Sequence, residues 1–411
     1  MPVSFEQRTL DNGLTVIAEV DPEADSSASG FFVRTGARDE QPALMGVSHF
    51  LEHMMFKGTD TLSAEDINEG FDRLGARNNA YTSTEMTCFY AHSLPEHQAG
   101  CLDLLAKMMR PALRQTDFDT EKGVILEEIA MYKDNPFWVL YEALCEQHYR
   151  GHTLGHRVLG TDDTIKALER DAMQAYFDAR YSADNTVLAL AGRVDFDQAC
   201  RQAETLCGSW NTTGAERNSS EPETGSMPLR LTDERVNRAY LLGLARAPSY
   251  GDERRYAASL LAKLLGDSDN SRLHWALIET GIAEEAQAAY DPHDGTGSYF
   301  IYASTDPENA DDVAEVLTNE AQRVLEGTTD ADLERLRAKT ATGVTVGGER
   351  PNDRMQRLGR QWTYLGAYTP LEVELERIRA VTLDDLSTVF EAFPLAPSSF
   401  GTLTPAEPSQ S

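Results

Sequence analysis

Residues 49 to 53 read His-Phe-Leu-Glu-His, inside the run Gly46-Val-Ser-His-Phe-Leu-Glu-His-Met-Met-Phe-Lys-Gly-Thr59. This H-x-x-E-H order inverts the commoner H-E-x-x-H. On a helix, His49 and His53 lie four residues apart and share one face. Two imidazoles at that spacing can grip one zinc ion. Glu52 projects between them and could take a proton from a water held by the metal. The competing reading is a solvated polar face. Val47, Phe50, Leu51, Met54, Met55 and Phe56 argue against it. A helix this apolar is mostly buried, and buried polar groups need partners.

A structural zinc site uses four protein ligands and is usually rich in Cys. Cys88, Cys101, Cys145, Cys200 and Cys207 contain no C-x-x-C pair. Two His and one distant carboxylate would leave the fourth position open, which is the catalytic arrangement. The segment Asp119 to Pro136 is the candidate source of that carboxylate. Val124, Ile125, Ile129 and Tyr132 recur there at helical spacing, and Pro136 closes the run. Glu121 and Glu128 fall on one face with Val124 and Ile125, whereas Glu127 is turned about 100° away. Glu128 is therefore read as the ligand and Glu121 as a supporting carboxylate. Taken alone, such a segment would more often be carrying three surface charges.

With these two segments in view, the chain resembles the pitrilysin or insulinase family of zinc metallopeptidases, in its bacterial branch like the mitochondrial processing peptidase. The family's H-x-x-E-H falls on His49, Glu52 and His53, and its E-x6-E element on Glu121 and Glu128. Its substrate-binding Asn-Ala element falls in Asn78-Asn-Ala-Tyr-Thr-Ser-Thr-Glu85, which points to Asn79, Ala80 and Tyr81. Two weaker elements are His152-Thr-Leu-Gly155, with Thr153 where Pro is usual, and Tyr181-Ser-Ala-Asp-Asn185, with Ala183 for Pro. The resemblance spans essentially the whole chain.

Length suits two domains, since 411 residues is long for one core. No apolar run reaches the roughly 20 residues of a membrane helix, so no membrane partner is expected. The first ten residues show neither a secretory signal nor a transit peptide. Five scattered Cys read as reduced thiols, and the expected location is cytoplasmic. A formal net charge of −30 argues against nucleic-acid binding, which needs a basic footprint. It is compatible with drawing basic peptides into an acidic cavity, or simply with solvation.

The stretch from Gly208 to Pro228, rich in Gly, Ser, Thr, Pro and charge, reads as a linker. It separates a zinc-bearing domain, 1–207, from a related domain, 229–411. Ile165, Ala167, Leu168, Met173 and Phe177 recur at constant offset as Ile378, Ala380, Val381, Leu386 and Phe390. Near the start of each half an apolar strand, Gly30–Val33 or Tyr240–Gly243, precedes an apolar helix. Aligned on these, His49, Glu52 and His53 fall opposite Ser259, Ala262 and Lys263, so the second half lacks the metal site.

Strand-like segments (Leu14–Ala18, Phe31–Val33, Thr87–Ala91, Thr186–Ala191) alternate with helical ones (Ala99–Met109, Asp163–Asp178). The fold class is therefore α+β, a mostly antiparallel sheet with helices packed on one face in each domain. The resemblance implies that the two domains form half of a clamshell, with a dimer closing around a chamber. Asn79-Ala80-Tyr81 could form an edge strand beside the zinc. Its free main-chain groups would bind an extended peptide, although a plain turn after Gly75 would explain Asn78 and Asn79 as well.

The expected function is a zinc-dependent endopeptidase for short or unfolded polypeptides. Zn2+ would be held by His49, His53 and Glu128, with Glu52 as general base and Glu121 orienting a ligand. The resemblance also implies an Arg and, seven residues later, a Tyr after a Ser-Arg-Leu start. Ser271-Arg-Leu273 is present, but the pair falls on Ile278 and Glu285. A paralogous partner subunit carrying the Arg/Tyr pair would supply it in a heterodimer; otherwise a homodimer must manage without it. The alternatives are a non-catalytic scaffold or assembly subunit, and a zinc-dependent binding module without hydrolysis.

Overall fold

Alternating apolar runs build two sheets, and a computed structural model describes them over residues 3–218, 220–225 and 228–406. Three positions of the predicted linker, Ser219, Ser226 and Met227, lie outside the described residues. The first half supplies strands β1 (Ser4–Thr9), β2 (Thr15–Val20), β3 (Ser27–Val33), β4 (Arg77–Thr82), β5 (Thr87–Ser93) and β6 (Thr186–Gly192). Its helices are α1 (Val47–Met55), α2 (Ala64–Arg73), α3 (Gln98–Met108), α4 (Gln115–Lys133), α5 (Pro136–His148), α6 (Asp162–Ala167), α7 (Arg170–Arg180) and α8 (Phe196–Cys207). The second half supplies β7 (Leu229–Asp233), β8 (Ala239–Ala247), β9 (Ala283–Pro292), β10 (Gly297–Thr305) and β11 (Ser399–Pro405). Its helices are α9 (Arg255–Gly266), α10 (Ala310–Gln322), α11 (Asp330–Gly347), α12 (Pro351–Leu365), α13 (Leu371–Ala380) and α14 (Leu383–Ala392).

The first sheet runs β1-β2-β6-β3-β5-β4, and the second β7-β11-β8-β10-β9. Each is antiparallel except for one parallel pair, β2 with β6 and β7 with β11. The fold is thus α+β, as the sequence predicts, but helices cover both faces of each sheet where one was expected.

Side chains alternate between the faces of a strand. In the first sheet α3 and α8 pack on one face. The other carries Ala28, Phe32, Cys88 and Val187, and it is covered by Met355 and Leu358 of α12. Contact there is close: a Cβ at Gly359 would lie 2.2 Å from the Phe32 ring. In the second sheet α9, α10 and α14 join one core, and α5 packs Leu140 and Leu144 against Leu242, Leu244 and Leu403.

The compact units are therefore discontinuous in sequence. One comprises 1–129, 156–218 and 345–369, the other 130–155, 219–344 and 370–411. The predicted domains 1–207 and 229–411 do not include this exchange of α5 and α12. Burying a Leu side chain fully contributes about 1.5–3 kcal/mol, and Leu140 and Leu144 find that burial only on the second sheet. Pattern within α5 cannot reveal which sheet it covers.

A second difference concerns Asp163–Asp178, predicted as one helix. It is two, α6 and α7, broken where Leu168 turns extended at ψ 129°. The Lys122 ammonium donates to the carbonyl freed there, at 2.7 Å. The described part of the linker has no helix or strand. Arg217 nonetheless anchors it to the first unit, pairing with Asp39 at 2.7 Å beside the buried Arg38–Glu85 pair.

Candidate metal centre

α1 starts at Gly46, whose φ of 94° suits glycine. A helix start leaves backbone N–H groups unpaired, and Gly46 has no side chain to cap them. Glu40 does so from the preceding loop, accepting from the N–H groups of Gly46 and Ser48 at 2.7 Å each. Burial pushes the Glu40 carboxyl up to about 8, against the pull of those two bonds. Val47, Phe50, Leu51, Met54 and Met55 are buried, which fixes the rotation of α1 and places His49, Glu52 and His53 on its remaining face.

α4 lies opposite. Phe118, Glu121, Ile125 and Ile129 form its buried stripe, and Glu128 is half-buried while Glu127 is exposed. Val124, expected on the buried face, is 43% exposed. The stripe turns inward around Glu121 instead.

His49, His53 and Glu128 converge, their ligand atoms all within 4.8 Å of one another. Glu128 Oε2 lies 3.7 Å from His49 Nε2 and 3.6 Å from His53 Nε2. Burial, reinforced by neighbouring His53, holds the His49 imidazole down to about 3, so at neutral pH it is uncharged. Both gaps exceed hydrogen-bond length. Nitrogen and oxygen donors at bond lengths of 2.0–2.1 Å around a tetrahedral zinc sit roughly 3.4 Å apart. Three such donors converging without bonding one another fit a zinc ion.

Around this trio, His53 Nδ1 lies 2.9 Å from Glu121 Oε1. The other Glu121 oxygen lies 2.5 Å from the Lys57 ammonium. Glu121 is buried, and it touches a ligand rather than the metal position. The Thr82 hydroxyl donates to Glu52 Oε2 at 2.6 Å. Burial raises the Glu52 carboxyl above its usual range, and the Thr82 bond and nearby His53 work against that rise.

Thr82 ends β4, which among the described residues pairs only with β5 and is the edge of its sheet. Ala80 N–H is not taken by the sheet; it meets Asn79 Oδ1 at 2.9 Å. Tyr81 turns its hydroxyl to Gln356 Oε1 of α12, 2.9 Å away, and its backbone faces β5, since the ladder that bonds Ser83 N–H to Met86 alternates and leaves Ala80 outward at the edge. Ile278 ends a π-helical turn and packs on the second core, and Glu285 is exposed on β9.

Three contributors escape sequence reasoning. Lys57 had a signal, standing four residues after His53. Thr82 and Glu40 had none, because their bonds to α1 depend on how distant segments fold back.

Among the described residues no helix is long and apolar enough to cross a membrane. Two family models match the chain: "Insulinase (Peptidase family M16)" over residues 15–162 and "Peptidase M16 inactive domain" over residues 167–340. An uncharacterized zinc protease of Bacillus subtilis is 32% identical over 92% of this chain and 93% of its own length. One of Mycobacterium tuberculosis is 32% identical over 93% and 89%. Among solved structures, a protease from Helicobacter pylori superposes with a TM-score of 0.90 at 19% identity, covering 98% of this chain and all of its own. An M16-like peptidase from Alicyclobacillus acidocaldarius gives 0.86 at 22%, covering 99% of each chain.

Proposed function

The chain belongs to the insulinase family, peptidase family M16, and from that premise we propose that it is a zinc-dependent endopeptidase for short or unfolded polypeptides. The observation that carries this is the convergence of His49, His53 and Glu128 beside Glu52. His49, His53 and Glu128 would hold the metal. Zinc there supplies Lewis acidity toward a water and the scissile carbonyl.

The remaining work falls to side chains. Glu52 accepts the proton of the attacking water at a carboxylate oxygen and returns it to the leaving amine. The Thr82 bond fixes that carboxylate, leaving its other oxygen for the proton. Glu121 holds the His53 ring through Nδ1. An extended peptide adds to the free edge of β4 along Asn79, Ala80 and Tyr81, through the outward main-chain groups of Ala80 and its alternate neighbours Asn78 and Thr82. The strand ends at Thr82, so a peptide bound along it reaches the general base. Backbone recognition of this kind selects unfolded chains over folded ones.

The working assembly is a heterodimer closing a chamber. This chain brings the metal and Glu52, and a metal-free paralogue brings the carbonyl-binding Arg/Tyr pair that Ile278 and Glu285 cannot replace. The same two positions favour the second reading, a non-catalytic subunit. The test is cleavage of an unstructured peptide by the zinc-loaded chain, alone and with the candidate paralogue. Chelator-sensitive cleavage that rises with the paralogue supports the heterodimer. Full activity alone leaves the homodimer, and zinc binding with no cleavage in either mixture favours the non-catalytic subunit.

A further inference from the structure

The two ligand imidazoles are not held alike. His49 Nδ1 is buried with no hydrogen-bond partner. His53 Nδ1 lies 2.9 Å from Glu121 Oε1. The orientation of the centre therefore depends on Glu121, whose side chain is only 5% exposed. A buried carboxylate without a counter-charge is costly to keep in place. The Lys57 ammonium lies 2.5 Å from Glu121 Oε2, the oxygen that His53 does not use and that takes no aligned hydrogen bond, so the contact is an ion pair. It is the nearest cation to this carboxylate among the pairs of the described residues.

We infer that Lys57 is a positioning residue of the metal centre, acting through Glu121 on His53; this rests on the zinc site proposed above. Lys57 follows the end of α1 and stands four residues after His53, so both side chains face α4. Its ammonium pins one carboxylate oxygen of Glu121, and the other oxygen then accepts the Nδ1–H of His53. That bond selects the tautomer whose Nε2 lone pair faces Glu128 and the metal position.

The charge count agrees. Glu52, Glu121 and Glu128 bring three negative charges to the centre, and a zinc dication with the Lys57 ammonium brings three positive ones. Lys57 also repels the zinc, but its side chain is 37% exposed and acts from behind Glu121, so water screens that repulsion. Loss of an outer partner of a metal ligand typically costs 10–100-fold in affinity. With the repulsion set against it, the lower end is expected.

The experiment is zinc affinity by competition with a chromogenic chelator, on the full chain. Lys57→Met should bind zinc about tenfold more weakly than wild type. Glu121→Gln should lose a similar amount, and the double variant should be no weaker than Glu121→Gln alone, because both act through one contact. Lys57→Arg should recover most of the affinity. Lys57→Gln, which keeps a donor without charge, should behave as Lys57→Met and carries the test if the Met variant misfolds. Nitrogen NMR of the metal-free chain gives a second readout: His53 should be the Nδ1–H tautomer in wild type and lose that preference in Lys57→Met. Unchanged or tighter zinc binding by Lys57→Met and Lys57→Gln, or additive losses in the double variant, would overturn the inference and leave the zinc site standing. A wild-type chain that binds no zinc would overturn both.

Discussion

The two halves share one strand order and differ in what faces the equivalent helix. β2-β6-β3-β5-β4 and β7-β11-β8-β10-β9 match strand for strand, including the single parallel pair. The break between α6 and α7 recurs between α13 and α14, where Val381 turns extended as Leu168 does, at ψ 128° and 129°. Each freed carbonyl is taken by a base on the preceding long helix, Lys122 on α4 and Arg337 on α11. With those two bases opposite one another, Glu121 and Glu128 fall opposite Leu336 and Gly343. On the other wall His49, Glu52 and His53 correspond to Ser259, Ala262 and Lys263. Lys263 reaches the Thr340 hydroxyl on α11 at 3.1 Å, and burial lowers its ammonium below the usual range. The scaffold does not need the polar cluster. One copy fills the space with Ser259, Ala262, Leu336, Gly343 and a single charge, Lys263, whereas the other keeps two imidazoles and three carboxylates.

The sharpest way to test that contrast is Glu52→Gln. The amide is nearly isosteric but cannot accept the proton, so peptide cleavage should fall about 10²–10⁴-fold with zinc content unchanged. Cleavage near wild type would place the base elsewhere.

The exchanged helix α5 makes the second unit sensitive to acid. His148 is fully buried, with Nδ1 2.8 Å from the Ser399 hydroxyl, and burial pulls it down to about 4. In the unfolded chain it titrates near 6.5, so between those values the unfolded state binds more protons. Stability from this group is full above pH 6.5 and is lost as pH falls toward 4. The loss is about 2 kcal/mol by pH 5. Denaturation midpoints of wild type and His148→Gln, compared at pH 7.5 and pH 5, should show the wild type losing more. Parallel losses would assign the acid sensitivity to other groups.

Thr82→Val removes one hydrogen bond to a half-buried carboxylate and little volume. Such bonds contribute about 1.5–3 kcal/mol, so cleavage should slow roughly tenfold or more with zinc retained. An unchanged rate would show that Glu52 needs no help from β4. The smallest effect belongs to the copy without the metal site. Lys263→Met should change thermal stability by no more than about 1 kcal/mol, because it removes a half-buried charge with no metal to serve. A large loss there would mean that the second half uses Lys263 after all.

What could be read in sequence follows from range. The H-x-x-E-H spacing is set within one helix, and the helical period separates Glu128 from Glu127, which the structure leaves exposed. The duplication was legible because apolar positions recur at constant offset. The exchange of α5 and α12 was not, since either helix presents an apolar stripe that could cover either sheet. Val124 was misplaced because the buried stripe of α4 includes a carboxylate, Glu121, which no apolar pattern marks. The bonds from Glu40 and Thr82 to α1 are made only after folding.

The most direct test of the metal centre is zinc stoichiometry, measured on the purified chain and on the double variant His49→Ala, His53→Ala. One zinc per chain in wild type and none bound tightly in the variant is the predicted result. Equal zinc content in the two proteins would place the metal elsewhere and contradict the centre built from His49, His53 and Glu128.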